Sequence, residues 1–323
     1  MDWNTRVFQN HTSESFKELA IKIFHFQAKN NTVYSNYINH LGLNISSINE
    51  IQDIPYLPID LFKSHEVICE PNNRRVTYTS SGTGGALSNH IVHDLSIYED
   101  SFKSGFEYFY GDIKEYTILA LLPSYIERKG SSLIYMCEKL IQQSQKKDSG
   151  FYLNEHELLF ETLKKLESKN SKTLLIGVSF GLLDFVEAFP LELKNTIVME
   201  TGGMKGRRKE MIRKELHKIL GKGFHQKDIH SEYGMTELLS QAYSKGKSLF
   251  KCPPWMQASC RDANDPLSVN KISGGLNIID LANIHSCSFI ATQDLGKIYP
   301  DGSFEVLGRF DTSDVRGCNL MVL

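Results

Sequence analysis

Apolar residues recur at helical spacing through residues 12–29, where Phe16, Leu19, Ala20, Ile23 and Phe24 share one face and Thr12 or Ser13 can cap the start. A second helix is predicted over 32–41, closed by Gly42. The stretch Pro55–Lys63 is punctuated by proline and reads as extended. A helix over 95–109 follows, with aromatic anchors Tyr98, Phe102, Phe106 and Phe109. From there strands and helices alternate: strand Tyr116–Leu122, helices near 131–145 and 155–168, strand Thr173–Val178, helix 180–188, strand Thr196–Met199, and a basic helix over roughly 206–220. That alternation predicts a mostly parallel sheet covered on both faces. The last third changes character. Short β-like runs at Leu276–Ile279, Ser288–Thr292 and Phe304–Leu307, punctuated by glycine, predict a smaller β-rich C-terminal subdomain. The chain thus reads as one α/β domain over 1–323, with a helical N-terminal segment (1–50), an α/β core (51–270) and a β-rich part (271–323).

Composition keeps this picture ordinary. With 323 residues, 41% hydrophobic and 23% charged, the chain is long enough for one large domain and has the balance of a globular protein. A net charge of -2 gives no reason to expect nucleic acid or an anionic membrane surface as partner. No apolar run reaches the roughly 18–20 residues of a membrane span. Met1-Asp2-Trp3-Asn4 lacks the regions of a signal peptide, so a cytoplasmic setting is expected. The six cysteines are scattered without a C-x-x-C pair or a histidine cluster, which points to reduced thiols rather than structural zinc. Lys205, Arg207, Arg208, Lys209, Arg213 and Lys214 are interleaved with Glu210 and Glu215 and read as a solvated helix face.

Three segments carry candidate chemistry. Tyr78-Thr79-Ser80-Ser81-Gly82-Thr83-Gly84-Gly85 follows a strand-like run, and its hydroxyls, amides and close-approaching glycine backbone suit an anion; it reads equally as a tight Ser/Gly turn. It is not a Walker loop, because no Gly-Lys-Ser/Thr follows. Ser231-Glu232-Tyr233-Gly234-Met235-Thr236-Glu237 reads as a turn that starts a helix, with Thr236 as cap. The same hydroxyl and carboxylate suit a phosphate and Mg²⁺. Thr292-Gln293-Asp294-Leu295-Gly296, followed by Gly308-Arg309-Phe310-Asp311, places an Asp after a strand, where it can take both hydroxyls of a ribose or cap a turn.

The order and spacing of these segments resemble the adenylate-forming superfamily of acyl-CoA synthetases and phenylacetate-CoA ligases. The likeness is most specific to its acyl-protein synthetase (LuxE-type) branch. It is carried further by Leu57-Pro58-Ile59, Phe62-Lys63, the doubled Ser80-Ser81, Leu122-Pro123-Ser124-Tyr125 with Glu127-Arg128 and Ser131-Ser132, and Arg316-Gly317-Cys318. The resemblance implies the large N-terminal domain of the adenylate-forming fold, with ATP and Mg²⁺ as cofactors and a carboxylic acid, a fatty acid above all, as substrate. It implies that Thr79, Ser80, Ser81, Gly82, Thr83, Gly84 and Gly85 cradle the β- and γ-phosphates. Thr236 would contact the α-phosphate and Glu237 would hold Mg²⁺. Glu200, Thr201, Gly202 and Gly203 would pass beside the adenine, on which Tyr233, next to Gly234, would stack. Asp294 would bind the ribose, with Arg309 nearby.

A carboxylate is a poor electrophile, and adenylation converts its oxygen into part of a good leaving group; the work is positioning and charge stabilisation. Three features depart from the family pattern. Gly84 stands where a second Thr is usual, Ala86-Leu87-Ser88-Asn89-His90 lacks the common Lys or Arg, and Gln293 replaces the usual Gly. Residues 310–323 are too few for the lid domain that follows in typical relatives, so a lid Lys is not expected. Cys318 sits in the Arg-Gly-Cys context that carries the acyl group in the acyl-protein synthetases, for delivery to an acyl reductase or another carrier; its other reading is a residue of a final apolar strand.

Overall fold

A computed structural model describes residues 3–70, 76–80, 86–122, 130–202, 211–263, 265, 267–268 and 271–310. The residues expected at Ser81–Gly85, Gly203 and Cys318 lie outside these.

The chain opens with three helices, α1 (Trp3–Val7), α2 (Ser13–Asn30) and α3 (Thr32–His40). Thr12 caps α2 reciprocally: its Oγ1 accepts the Ser15 N–H at 3.2 Å, and Ser15 Oγ accepts the Thr12 N–H at 2.9 Å. Asn31 ends α2 and caps α3 through the Tyr34 N–H at 3.0 Å. Next come β1 (Leu57–Pro58), α4 (Leu61–Ser64), β2 (Val76–Thr79), β3 (Asn89–Val92) and α5 (Leu95–Tyr110). Strands β2 and β3 form an antiparallel hairpin with Tyr78 opposite His90.

The α/β core follows the expected alternation: β4 (Thr117–Leu121), α6 (Ser132–Ser144), β5 (Gly150–Phe151), α7 (His156–Ser168), β6 (Thr173–Gly177), α8 (Ser179–Ala188), β7 (Thr196–Glu200), α9 (Arg213–Phe224), β8 (His230–Tyr233) and β9 (Ala242–Ser244). The sheet order is β5-β4-β6-β7-β8-β9, parallel until β9 turns back antiparallel on β8. Every residue of β4 and β6 is buried, as a sheet covered on both faces requires.

The basic helix differs from the expected 206–220. As described, it starts at Arg213 and runs to Phe224, with Leu216, Leu220 and Phe224 buried one turn apart. Its two late glycines do not end it. A Cβ at Gly223 would stand 2.2 Å from Val186 Cγ2, so this glycine lets α9 press against α8. Arg213 is not part of a solvated face, because it pairs with the buried Glu200.

A second sheet holds β10 (Met256–Arg261), β11 (Ser273–Asp280), β12 (Phe289–Ile298) and β13 (Phe304–Arg309). Its order is β1-β12-β11-β10, with β13 also on β12. The segment at 57–58 therefore reaches across the sequence to pair in parallel with β12, Leu57 opposite Ile290. The N-terminal helices cover this sheet. Gln27 Nε2 donates to the carbonyls of Asn283 and Ile284 at 2.9 and 2.8 Å, and Asn31 Nδ2 donates to Ser286 O at 2.9 Å. Phe24 and Tyr34 pack their rings on Phe289, each at 6.2 Å. Each such fully buried side chain contributes roughly 1.5–3 kcal/mol, which docks helices from one end of the chain on strands from the other.

Candidate active site

In an open α/β sheet, ligands bind beyond the carboxyl ends of the strands. Here β7 and β8 end at Glu200 and Tyr233, directly before Thr201-Gly202 and Gly234–Glu237.

The neck of the Ser/Thr/Gly segment lies beside these ends. The Thr79 N–H donates to Gly130 O at 2.8 Å. The Ser80 N–H donates to Ser88 O at 3.0 Å, and Ser80 Oγ accepts the Ser88 N–H at 2.9 Å. Ser80 and Ser88 thus clamp the two ends of the segment between them. Gly130 is required here: its φ is +93°, and a Cβ would meet Thr77 O at 3.3 Å.

After β8 the expected helix start is absent. Thr236 and Glu237 are the central residues of a turn closed by the Leu238 N–H on Met235 O at 3.1 Å. The physical reason is Asp280 at the end of β11. Its carboxylate takes the N–H groups of Leu239 and Ser240 at 2.8 and 2.9 Å, and the Ser240 hydroxyl at 2.5 Å. Those amides bend the chain toward β9 instead of feeding a helix. Asn283 fixes the same turn by donating Nδ2 to Glu237 O at 2.8 Å. The Glu237 side chain is buried, and burial raises its pKa; the Ser88 hydroxyl, its own backbone N–H, Arg309 and Lys63 oppose that rise.

Asp294 was expected after a strand but lies within β12, which runs on to Ile298, and Arg309 stands opposite it on β13. The strand continues because Ile290, Thr292 and Asp294 keep alternate inward positions. Tyr233 Oη donates to Asp294 Oδ2 at 2.8 Å, and Arg309 Nε donates to Asp294 Oδ1 at 3.0 Å. Arg309 is still 76% exposed, and the Asp294 charge raises its pKa. The Tyr233 ring is buried against Phe250 and Phe304, at 5.7 and 5.4 Å, so this tyrosine holds the carboxylate from below. Gln293, the departure from the family pattern, donates to Asp60 Oδ2 at 2.5 Å, and Asp60 pairs with Lys63 at 2.6 Å.

Glu200 does not join this group. Burial pushes its pKa up, but hydrogen bonds and charge from His217, Arg213, Ser231 and the Gly202 N–H overcome that and hold it at about 2. Its side chain ties α9 to the sheet, with Arg213 Nε at 2.7 Å. Gly202 beside it has φ +66°, and no described residue stands within 4 Å of a Cβ placed there. Glu232 points elsewhere in the interior and accepts a hydrogen bond from Thr201 Oγ1. A Cβ on Gly234 would stand 2.4 Å from Glu232 Oε1.

Thr79, Ser80, Tyr233, Gly234, Thr236, Glu237, Asp294 and Arg309 therefore form one connected neighbourhood. Ser88, His90, Asp280 and Asn283, which brace it, were not recognised from sequence. Asp280 and Asn283 carry no local motif, and the hairpin that brings Ser88 and His90 here is a tertiary feature.

No family model matches the sequence, and no curated protein matches it. Solved structures do match the fold. ATP-bound MatB from Rhodopseudomonas palustris superposes with a TM-score of 0.55 at 14% identity, over 75% of this chain and 49% of that one. A 2-hydroxyisobutyryl-CoA ligase in the postadenylation state, in complex with R3-HIB-AMP, gives 0.69 at 9% identity, over 94% and 70%. A luciferase-like enzyme from the nonluminescent Zophobas morio mealworm gives 0.51 at 15% identity, over 75% and 59%. The chain spans about half the length of the MatB chain it matches. The chain thus shares the fold of these structures: α/β, with a mostly parallel helix-covered sheet and a β-rich second sheet. Among the described residues no helix is long and apolar enough to cross a membrane.

Proposed function

We propose that this chain activates a carboxylic acid, a fatty acid above all, as an acyl-adenylate and then accepts the acyl group on its own Cys318. One observation carries the activation step. Tyr233, Asp294 and Arg309, far apart in sequence, meet in the Tyr233–Asp294–Arg309 contacts, and His90 of the β2–β3 hairpin reaches Thr236 O. The fold shared with structures containing ATP or an acyl-AMP supports the reading.

The residues suit these groups. Glu237 offers a buried carboxylate oxygen of the kind Mg²⁺ takes, and Arg309 is an exposed guanidinium on Asp294 whose charge also acts on Glu237. Asp294 offers a braced acceptor for ribose hydroxyls, and among the described residues none crowds Gly202, so a base can lie against its backbone. The backbone and hydroxyls at Thr79 and Ser80 sit at the root of the segment that would cradle the phosphates. ATP supplies the α-phosphorus. A carboxylate oxygen bonds to it, the Pα–O bond to the β-phosphate breaks, and pyrophosphate leaves. The Cys318 thiolate then attacks the acyl carbon and AMP departs, leaving a thioester. An acyl reductase or acyl carrier would take the acyl group from there.

The test is intact-mass analysis after incubation with ATP, Mg²⁺ and a fatty acid. The expected result is an acyl adduct in the wild type that is absent from Cys318→Ala. An equal adduct in the variant sinks the cysteine assignment. Thioester on free CoA without a protein adduct marks a CoA ligase instead, and failure of acid-dependent pyrophosphate exchange marks a binding module without catalysis.

A further inference from the structure

We infer that Arg261 is a positioning residue for Asp294: its guanidinium pins a β-bulge of β12 and so holds the Asp294 carboxylate toward Tyr233 and Arg309. The register of the second sheet shifts at this point. Gly275 of β11 stands opposite Leu295 of β12, and Asn277 stands opposite Ala291, so Leu276 alone faces Thr292, Gln293 and Asp294. A bulge takes residues out of the ladder and re-aims a side chain. Here the side chain at its end is the carboxylate that Tyr233 and Arg309 meet.

Arg261 is the last residue of β10, and its side chain is buried. Its Nη1 donates to Leu276 O and to Asn277 Oδ1, both at 2.8 Å, and its Nη2 donates to Thr292 O at 2.6 Å. One planar fork thus takes a carbonyl from each strand at the bulge, where a buried carbonyl without a partner would be costly. The Thr292 hydroxyl completes the link. It donates to the same Leu276 O at 2.9 Å and accepts the Asp294 N–H at 3.1 Å. Gly275 makes room for the fork, since a Cβ there would stand 2.6 Å from Arg261 Cζ. Toward β13, Gln293 O accepts the Phe310 N–H at 2.9 Å, and the Phe310 ring lies 5.6 Å from Arg261 Cζ. Arg261 therefore frames both members of the Asp294–Arg309 pair through their chain neighbours.

A lysine cannot take these oxygens in one plane, because its ammonium is a point donor on a flexible stem. Arg261→Lys therefore keeps a charge and loosens the bulge. Thr292→Val keeps the side-chain shape and removes the bridge between Leu276 O and the Asp294 N–H. The effect on a nucleotide rests on the ribose-binding role proposed above for Asp294; the pinning of the bulge does not.

Calorimetric titration of the full chain with ATP and with 2′,3′-dideoxy-ATP, which lacks both ribose hydroxyls, tests the positioning. The wild type is expected to bind ATP about tenfold more tightly than the dideoxy nucleotide. In Arg261→Lys and in Thr292→Val that ratio is expected to fall to about twofold, with dideoxy-ATP affinity held within about twofold of wild type. An unchanged ratio in a folded variant, including an equal loss for both nucleotides, marks a general structural role and overturns the proposal. If Arg261→Lys does not fold, Thr292→Val decides. Residue-resolved hydrogen exchange of the ligand-free chain reads the bulge itself. The Asp294 amide is expected to exchange at least about tenfold faster in the variants, and equal rates overturn the pinning. A wild type that binds both nucleotides equally, or neither, refutes the ribose reading and the positioning role with it, and leaves the exchange result standing.

Discussion

Replacing Glu232 by Gln is expected to make the protein relatively more stable as pH rises. Burial drives the Glu232 pKa from 4.5 up to about 7; the Glu200 charge adds to the rise and the Thr201 hydroxyl opposes it. The folded state then holds the proton more tightly than the unfolded chain. Its contribution is fully present below about pH 4.5 and is lost as pH rises through about 7. A rise of that size corresponds to about 3 kcal/mol once both states are ionised. Gln keeps the volume and can still accept from Thr201 Oγ1, but it does not titrate. Any fixed cost of the amide beside Gly234 is the same at every pH. The difference in stability between Glu232→Gln and wild type should therefore move in the variant's favour by about 2–3 kcal/mol between pH 5 and pH 8. Urea denaturation at several pH values measures it. Parallel pH profiles for the two proteins would refute a carboxyl held neutral by burial.

Tyr233→Phe removes the hydroxyl that donates to Asp294 Oδ2 at 2.8 Å and leaves that buried carboxylate braced by Arg309. A loss of about 1.5–3 kcal/mol in urea unfolding is expected, with weaker ATP binding by calorimetry; an unchanged midpoint would contradict the bracing. Gln27→Ala removes the donor to Asn283 O and Ile284 O and the acceptor of the Ser288 N–H at 3.0 Å. The expected cost is about 2–4 kcal/mol within one cooperative transition. Early separate melting of the N-terminal helices would show that they are not part of the second sheet's unit.

The elements of the core were legible because their periodicities are local. Phe16, Leu19, Ala20, Ile23 and Phe24 mark α2 whatever lies around them, and the buried runs of β4 and β6 mark central strands of a parallel sheet. Some segments singled out for their chemistry also lie near one another in the fold: Tyr233 and Arg309 both reach Asp294, and His90 of the hairpin is bonded to Thr236 O. Local signals failed where a distant partner outweighed them. The turn at 235–238 looked like a helix start because nothing nearby in sequence reveals Asp280 taking the Leu239 and Ser240 amides. Arg213 looked solvated because Glu200 belongs to another strand.

By itself, the chain's pattern of apolar and glycine positions determined the alternation of strands and helices and the spacing of the segments proposed above to hold phosphate, metal and ribose. Tertiary structure alone decided that β1 and the N-terminal helices complete the second sheet and that Tyr233 braces Asp294. The reason is physical. Propensity and periodicity act over a few residues, whereas hydrogen bonds inside a buried corner are set by whichever groups the packed chain brings there, and a buried polar atom must find its partner at any sequence distance.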